Sequence, residues 1–191
     1  MHDNLMHELI LGGARSGKSR TAEARAAAWL QAQAGRSAVL VATALPGDGE
    51  MADRIARHRA DRAARAPGLQ TVEAPRQLGA TLRRLAEPQR LLVVDCLTLW
   101  LTQCLLPPPG AEPADWPAEQ AALLQALQGA HEAGCPVVLV STEIGLGVMP
   151  LSREARACVD ALGALHQAVA ARCRRVTLMV AGCELRVKDL P

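Results

Sequence analysis

The sequence predicts an open α/β fold built on a mostly parallel sheet. Short aliphatic, β-branched runs alternate along the chain with longer runs rich in Ala and Arg. Most of the short runs are continuously apolar, the pattern of strands covered on both faces. The last short run alternates apolar and polar residues instead, as a strand at a sheet edge does.

Taken in order, ELILG (8–12) is the first strand, and a helix over 18–33 follows it. AVLVAT (38–43) is the second strand, followed by an Arg-rich helix over 49–65. LQTVEA (69–74) is a short further strand, and a helix is expected over 75–86. LLVVD (91–95) is the next buried strand. LLPPPGAEPADWP (105–117) has several prolines and no periodicity, which makes it a surface loop. Helix 117–133, strand VVLVS (137–141) and helix 152–173 continue the alternation. Only Gly-Cys separates ELRVK (184–188) from the strand in VTLMVAG (176–182), so a closing hairpin that turns there is expected. No repeat interrupts this order. The proline-rich loop joins strands of one pattern, so residues 1–191 are expected to form a single domain.

Composition narrows the function. Half of the 191 residues are hydrophobic, enough for a substantial core. The chain has no Phe or Tyr and only Trp29, Trp100 and Trp116, so Leu, Val and Ala must fill that core. A net charge of +2 does not argue for nucleic acid, and no apolar run is long enough to span a bilayer. MHDNLMHE has no basic stretch followed by an apolar one, so no signal peptide is read there and a cytoplasmic location is expected. The six cysteines form no CxxC pair and no zinc-spaced cluster, and read as reduced thiols.

The chemistry is concentrated after the first strand. Gly12, Gly13, Ala14, Arg15, Ser16, Gly17, Lys18 and Ser19 fit G-x-x-x-x-G-K-[ST]. Glycines let the backbone curl around an anion, and loop and helix N–H groups then point at phosphate oxygens. Lys18 would meet the β- and γ-phosphates of ATP or GTP, and the Ser19 hydroxyl would ligate Mg²⁺. A Gly-rich turn with an incidental Lys-Ser is the bland alternative, and the strand before and helix after weigh against it. Asp95 closes an apolar strand and is the first candidate for a carboxylate near that Mg²⁺, a helix N-cap being the other reading. Glu143 is a second, weaker strand-end carboxylate. In open α/β sheets ligands collect at the carboxyl ends of strands, so both acids are expected near the loop.

The helix over 49–65 carries Arg54, Arg57, Arg59, Arg62 and Arg65 around His58. It reads either as a solvated basic surface or as a cationic face over polyphosphate. In the second case a neutral imidazole could act as a nucleophile toward phosphorus. The N/T-K-x-D element of guanine-specific GTPases is absent, so the choice of base is not written in a simple motif.

Several segments together point further: LGGARSGKSRTAEARA, VATALPGDGEMADRIARHRADR, LLVVDCLTLWLTQCLL, VVLVSTEIGLGVMPLSREAR and VDALGALHQAVAARCRRVTLMVAGCELRVK. In this order the chain resembles the bifunctional adenosylcobinamide kinase/adenosylcobinamide-phosphate guanylyltransferase family of cobalamin biosynthesis. The resemblance implies a P-loop, RecA-like fold with an antiparallel C-terminal edge hairpin, assembled as a homotrimer. It implies phosphorylation of a corrinoid alcohol by a nucleoside triphosphate, then transfer of GMP from GTP to the new phosphate. It implies that His58 carries the guanylyl group, that Gly12–Ser19 binds nucleotide, and that Asp95 is the strand-end acid. Arg54 and Arg57, on the cationic face beside His58, are expected to bind nucleotide by screening its phosphate charge. Two departures stand out. Thr142 occupies a position that is often Asn in the family, and Gly163-Ala164-Leu165-His166-Gln167 replaces a GRxNQ pattern, losing its Arg and Asn.

Two other functions remain compatible with the motifs alone. A P-loop kinase of another small alcohol would keep Lys18, Ser19 and Asp95 but need no His58. A regulatory nucleotide-binding protein would need neither transfer step. A third, weaker reading gives the basic helix to RNA, and steep salt dependence would be its signature.

Overall fold

The computed structural model describes residues 7–45 and 64–190. Among them the strands are β1 (Glu8–Gly12), β2 (Ser37–Ala42), β3 (Leu69–Glu73), β4 (Arg90–Asp95), β5 (Val137–Val140), β6 (Arg175–Val180) and β7 (Cys183–Asp189). The helices are α1 (Lys18–Ala32), α2 (Leu78–Leu85), α3 (Leu97–Leu105), α4 (Trp116–Glu132) and α5 (Arg153–Ala170). The strands form one sheet in the order β3-β2-β4-β5-β1-β6-β7. Every neighbouring pair is parallel except β6 and β7. This is the expected parallel sheet with an antiparallel edge.

The continuous apolar strands are explained by their neighbours. Along β4, Leu92 and Val94 point into one core with residues of α2, α3, α4 and α5, while Leu91 and Val93 point into another with Ala22 and Ala26 of α1. Along β5, Val137 and Leu139 likewise separate from Val138 and Val140. A strand buried on both faces admits few polar positions. At roughly 25 cal/mol per Å² of apolar surface removed from water, such strands supply much of the folding drive.

Small residues set the helix spacing. Ala22 and Ala26 let α1 lie close to the sheet, and both are buried. Gly79 of α2 faces the backbone of α4, where an added Cβ would come 2.5 Å from the Ala122 carbonyl carbon. Trp100 fills the space under α3 and packs against Trp116, with ring centroids 5.2 Å apart.

Helix ends follow capping chemistry. Asp115 accepts from the Ala118 N–H at 3.2 Å at the start of α4, with Pro117 in the first turn. Ser152 does the same for α5, accepting from the Ala155 N–H at 3.1 Å. Inside, His7 accepts from the Val137 N–H at Nδ1 (3.1 Å), so its Nε2 carries the proton and donates to the Leu127 carbonyl at 2.9 Å. Burial lowers its pKa, which agrees with this neutral tautomer. The buried Glu8 accepts from Arg25 of α1 at 3.0 Å and from Thr177 of β6 at 2.8 Å, tying three elements together.

Two differences from the expected elements are informative. Helix α3 was not expected, and it shortens the proline-rich loop to 106–115. The closing turn is Ala181-Gly182, both with positive φ (52° and 81°), rather than Gly-Cys. The expected helix over 49–65 lies almost entirely outside the described residues.

Gly79→Ala is expected to destabilise the fold by about 1–3 kcal/mol, because backbone rather than a flexible side chain blocks the new methyl. Urea unfolding of the two proteins measures this, and equal midpoints would contradict the close α2–α4 crossing.

Candidate functional site

Strand β1 ends at Gly12, and the chain turns through residues 13–17 into α1. Two glycines at its ends make the turn possible. Gly12 has φ of 152°, and a Cβ there would come 2.6 Å from the Met179 carbonyl oxygen and 2.7 Å from the Ser16 hydroxyl. Gly17 has φ of 102° and occupies the N-cap of α1. L-residues with side chains rarely adopt these conformations. Gly13, in contrast, faces open space, with nothing within 4 Å of a built Cβ.

The N-terminus of α1 follows directly on this turn. Gly17 supplies no side-chain cap, and no acidic residue occupies the first turn. Free N–H groups and the positive end of the helix dipole make such a terminus attractive to anions. The Ser16 hydroxyl is buried and has no hydrogen-bond partner among the described residues. The Lys18 ammonium folds back over the loop and donates to the Gly13 carbonyl at 2.6 Å. The loop is pinned to β6–β7 by the Gly182 N–H, which donates to the Ser16 carbonyl at 3.1 Å. Arg15 holds a left-handed backbone (φ 54°) at the loop's exposed tip.

Asp95 stands at the carboxyl end of β4 and is half-buried. Around it, the Thr43 hydroxyl donates to the Cys96 carbonyl (2.7 Å) and accepts from the Cys96 N–H (2.8 Å). The Cys96 thiol is pushed up to about 11, first by burial and then by the Asp95 charge, while Lys18 opposes the shift. Asp95 and Lys18 are therefore both within electrostatic reach of one thiol, as expected of groups flanking a common site. Ser19 lies in the first turn of α1, also half-buried.

Glu143 follows β5, the strand between β4 and β1. Its N–H donates to the Gly12 carbonyl at 3.0 Å, and its Oε1 accepts from the Gly145 N–H at 2.8 Å. It lines an open cleft of about 480 Å³ together with Gly13, Ala14, Arg15 and Ser16. Behind it is a group the sequence reading did not place at the site. His166 of α5 is buried, with Nδ1 3.5 Å from Glu143 Oε2 and Nε2 2.7 Å from the Ser141 hydroxyl. Ser141 Oγ is 3.1 Å from Thr98 Oγ1, which accepts from the Thr142 N–H at 2.7 Å. Burial lowers the His166 pKa, and the Glu143 charge works against that shift. The available signal was a histidine on the apolar stripe Leu162, Leu165, Val169 of a helix.

The structure thus brings together Gly12–Ser19 and Glu143, with Asp95 close by. Arg54, Arg57 and His58 lie outside the described residues. No group of three or more His, Cys, Asp or Glu side chains gathers as a metal cluster among the described residues. The sparse set Ser19 and Asp95 still fits Mg²⁺, which takes one or two protein oxygens and fills its shell with phosphate and water. No helix among the described residues is long and apolar enough to cross a membrane.

Sheet order, phosphate loop and open helix terminus define a P-loop nucleotide-binding protein of the α/β class. The fold is shared with the flagellar accessory protein FlaH of Methanocaldococcus jannaschii (TM-score 0.54, 9% identity, 98% of this chain and 80% of that one). Residues 8–187 match the family described as cobinamide kinase / cobinamide phosphate guanyltransferase, and the chain belongs to that family. It is 50% identical over 186 residues to the bifunctional adenosylcobalamin biosynthesis protein CobP of Pseudomonas aeruginosa, covering 97% of this chain and 99% of that protein. It is 36% identical to the bifunctional adenosylcobalamin biosynthesis protein CobU of Escherichia coli, covering 94% and 98%. The chain is accordingly an enzyme, a kinase joined to a guanylyltransferase.

Lys18→Ala is expected to lower phosphoryl transfer by about 10²-fold or more, since charge stabilisation is the protein's main contribution to that step. Its ligand-free melting temperature should barely move. Full kinase activity in the variant would contradict the role given to the loop.

Proposed function

We propose that this enzyme phosphorylates the hydroxyl of adenosylcobinamide and then transfers GMP from GTP to adenosylcobinamide phosphate, releasing pyrophosphate. The observation that carries this is the phosphate loop, with Gly12 and Gly17 shaping it, Lys18 above it and the α1 N-terminus uncapped. The family description supplies the two activities, and it disfavours a kinase with one activity or a purely regulatory protein.

In the first step the loop N–H groups and Lys18 hold the triphosphate and stabilise charge as the γ-phosphoryl group leaves. Ser19 and Asp95 would hold Mg²⁺, which when bound neutralises phosphate charge. In the second step His58 attacks the α-phosphorus of GTP. An N–P bond forms, the bond to the bridging oxygen breaks, and pyrophosphate leaves; the ring proton passes to solvent. A phosphate oxygen of the corrinoid then attacks the same phosphorus and releases His58. Imidazole suits this role because it is neutral and nucleophilic near physiological pH, whereas Arg54 and Arg57 stay charged and can only steady phosphate. Support for these assignments is the resemblance of the ARHR segment and the strand-end position of Asp95. The same resemblance supports a homotrimer and a cytoplasmic enzyme, and a corrinoid this large would bind on an open surface or between subunits.

Incubation with α-labelled GTP and Mg²⁺, denaturation and peptide mapping should place acid-labile, base-stable label on His58. His58→Ala should lose label and guanylyl transfer while keeping kinase activity. Label that persists in the variant would overturn the assignment. Asp95→Asn should raise the Mg²⁺ concentration needed for activity and leave metal-free nucleotide binding nearly intact, because one charge is lost from the metal's surroundings. An unchanged Mg²⁺ dependence would make Asp95 a structural residue.

A further inference from the structure

Glu143 and His166 form a unit that the reactions above leave without a task. The carboxylate sits at a defined end of the phosphate loop. The Lys18 ammonium touches the Gly13 carbonyl, and the Glu143 main chain touches the carbonyl of Gly12, the preceding residue. A P-loop lysine meets the β- and γ-phosphates, which would put Glu143 at the terminal-phosphate end of a bound nucleotide rather than beside the base or ribose. A carboxylate facing a triphosphate gains nothing by direct contact, since like charges repel. It has a use there if a proton must be taken from whatever attacks the terminal phosphorus.

The surroundings hold the carboxylate in one orientation. Oε1 accepts from the Gly145 N–H, and Oε2 faces His166 Nδ1. The Ser141 hydroxyl can donate to His166 Nε2 and accept from the Thr98 hydroxyl, which itself accepts from the Thr142 N–H. Every proton in this chain then has an acceptor, with the imidazole neutral and its Nδ1–H aimed at Glu143. Three side chains, Ser141 just after β5, Thr98 of α3 and His166 of α5, are committed to placing one carboxylate at the cleft wall.

We propose that Glu143 is the general base of the phosphoryl-transfer step, and that His166 is the residue that positions it. This rests on the kinase half of the reading above. As the substrate's hydroxyl oxygen bonds to the γ-phosphorus, the bond from that phosphorus to the β–γ bridging oxygen breaks. The nucleoside diphosphate leaves, and the hydroxyl proton passes to Glu143 Oε2, then to solvent at the open cleft. His166 stays neutral throughout and touches neither substrate nor nucleotide.

The test measures cobinamide phosphorylation at saturating substrate and Mg²⁺, alongside nucleotide affinity by titration with a non-hydrolysable GTP analogue. Glu143→Gln should lower kcat by about 10²–10³-fold, the usual worth of a general base, and change the analogue's Kd by less than about threefold. His166→Leu should lower kcat by about tenfold, since misplacing a catalytic group has such costs, with the same small change in Kd. His166→Asn should recover part of that loss, because its amide nitrogen can stand where the imidazole Nδ1 stood and donate to Glu143. If His166→Leu does not fold, Glu143→Gln and His166→Asn, compared with wild type, carry the test. Wild-type kcat in Glu143→Gln overturns the base role, and so does a loss that extra Mg²⁺ restores, which would mark Glu143 as a metal ligand. No gain in His166→Asn over a folded His166→Leu overturns the positioning role. A wild-type protein that phosphorylates no cobinamide overturns the functional reading itself and this inference with it.

Discussion

Gly12 lies so close to β6 that the Met179 carbonyl leaves no room for a side chain. This single approach sets the height of the phosphate loop above the sheet. β1 must end there because its next residue turns away from both neighbours, and α1 must begin within a few residues because Gly17 turns the chain back. The hydrogen bond from Gly182 to the Ser16 carbonyl then fixes the loop against the β6–β7 turn. A methyl group at position 12 would have to displace backbone on a buried strand, which the interior's packing density does not readily allow. The position of Lys18 and of the helix terminus follows from this contact.

The sheet transmits the placement. β1 lies between β5 and β6, so the loop is flanked on one side by the strand leading to Glu143 and on the other by Met179. β4 lies one strand further, and its end brings Asp95 to the same edge. Each candidate acid follows the end of a buried parallel strand, the position where side chains first become free to meet a ligand.

Most of the architecture was legible in the sequence because each buried strand is a continuous apolar run and the phosphate loop has a fixed spacing. Helix α3 was not. LTLWLTQCL is apolar nearly all round, and Cys96 offers no side-chain cap, so neither periodicity nor a start signal marks it. The closing turn was displaced by one residue because Ala181 adopts the positive φ that pattern reading reserves for Gly or Asn. At the site, the loop could be read residue by residue, since its chemistry is local. His166 could not. Its partner Glu143 is far along the chain, and a histidine on an apolar helix face looks like core until the sheet brings β5 beneath it. Its departure from the family's Asn was visible, but not what the side chain meets.

The scarcity of aromatic residues has an optical consequence. Without Tyr or Phe, the chain's near-ultraviolet absorption and its emission come from tryptophan. Trp100 is sealed beneath α3 and coupled to Trp116 at the start of α4, while Trp29 donates to the Ser37 carbonyl with the Arg36 guanidinium 3.8 Å above its ring. Two chromophores therefore view the seam between α3 and α4, and the third views the opposite face of the sheet beside β2. Intrinsic fluorescence and near-ultraviolet dichroism can follow the docking of helices on each side separately.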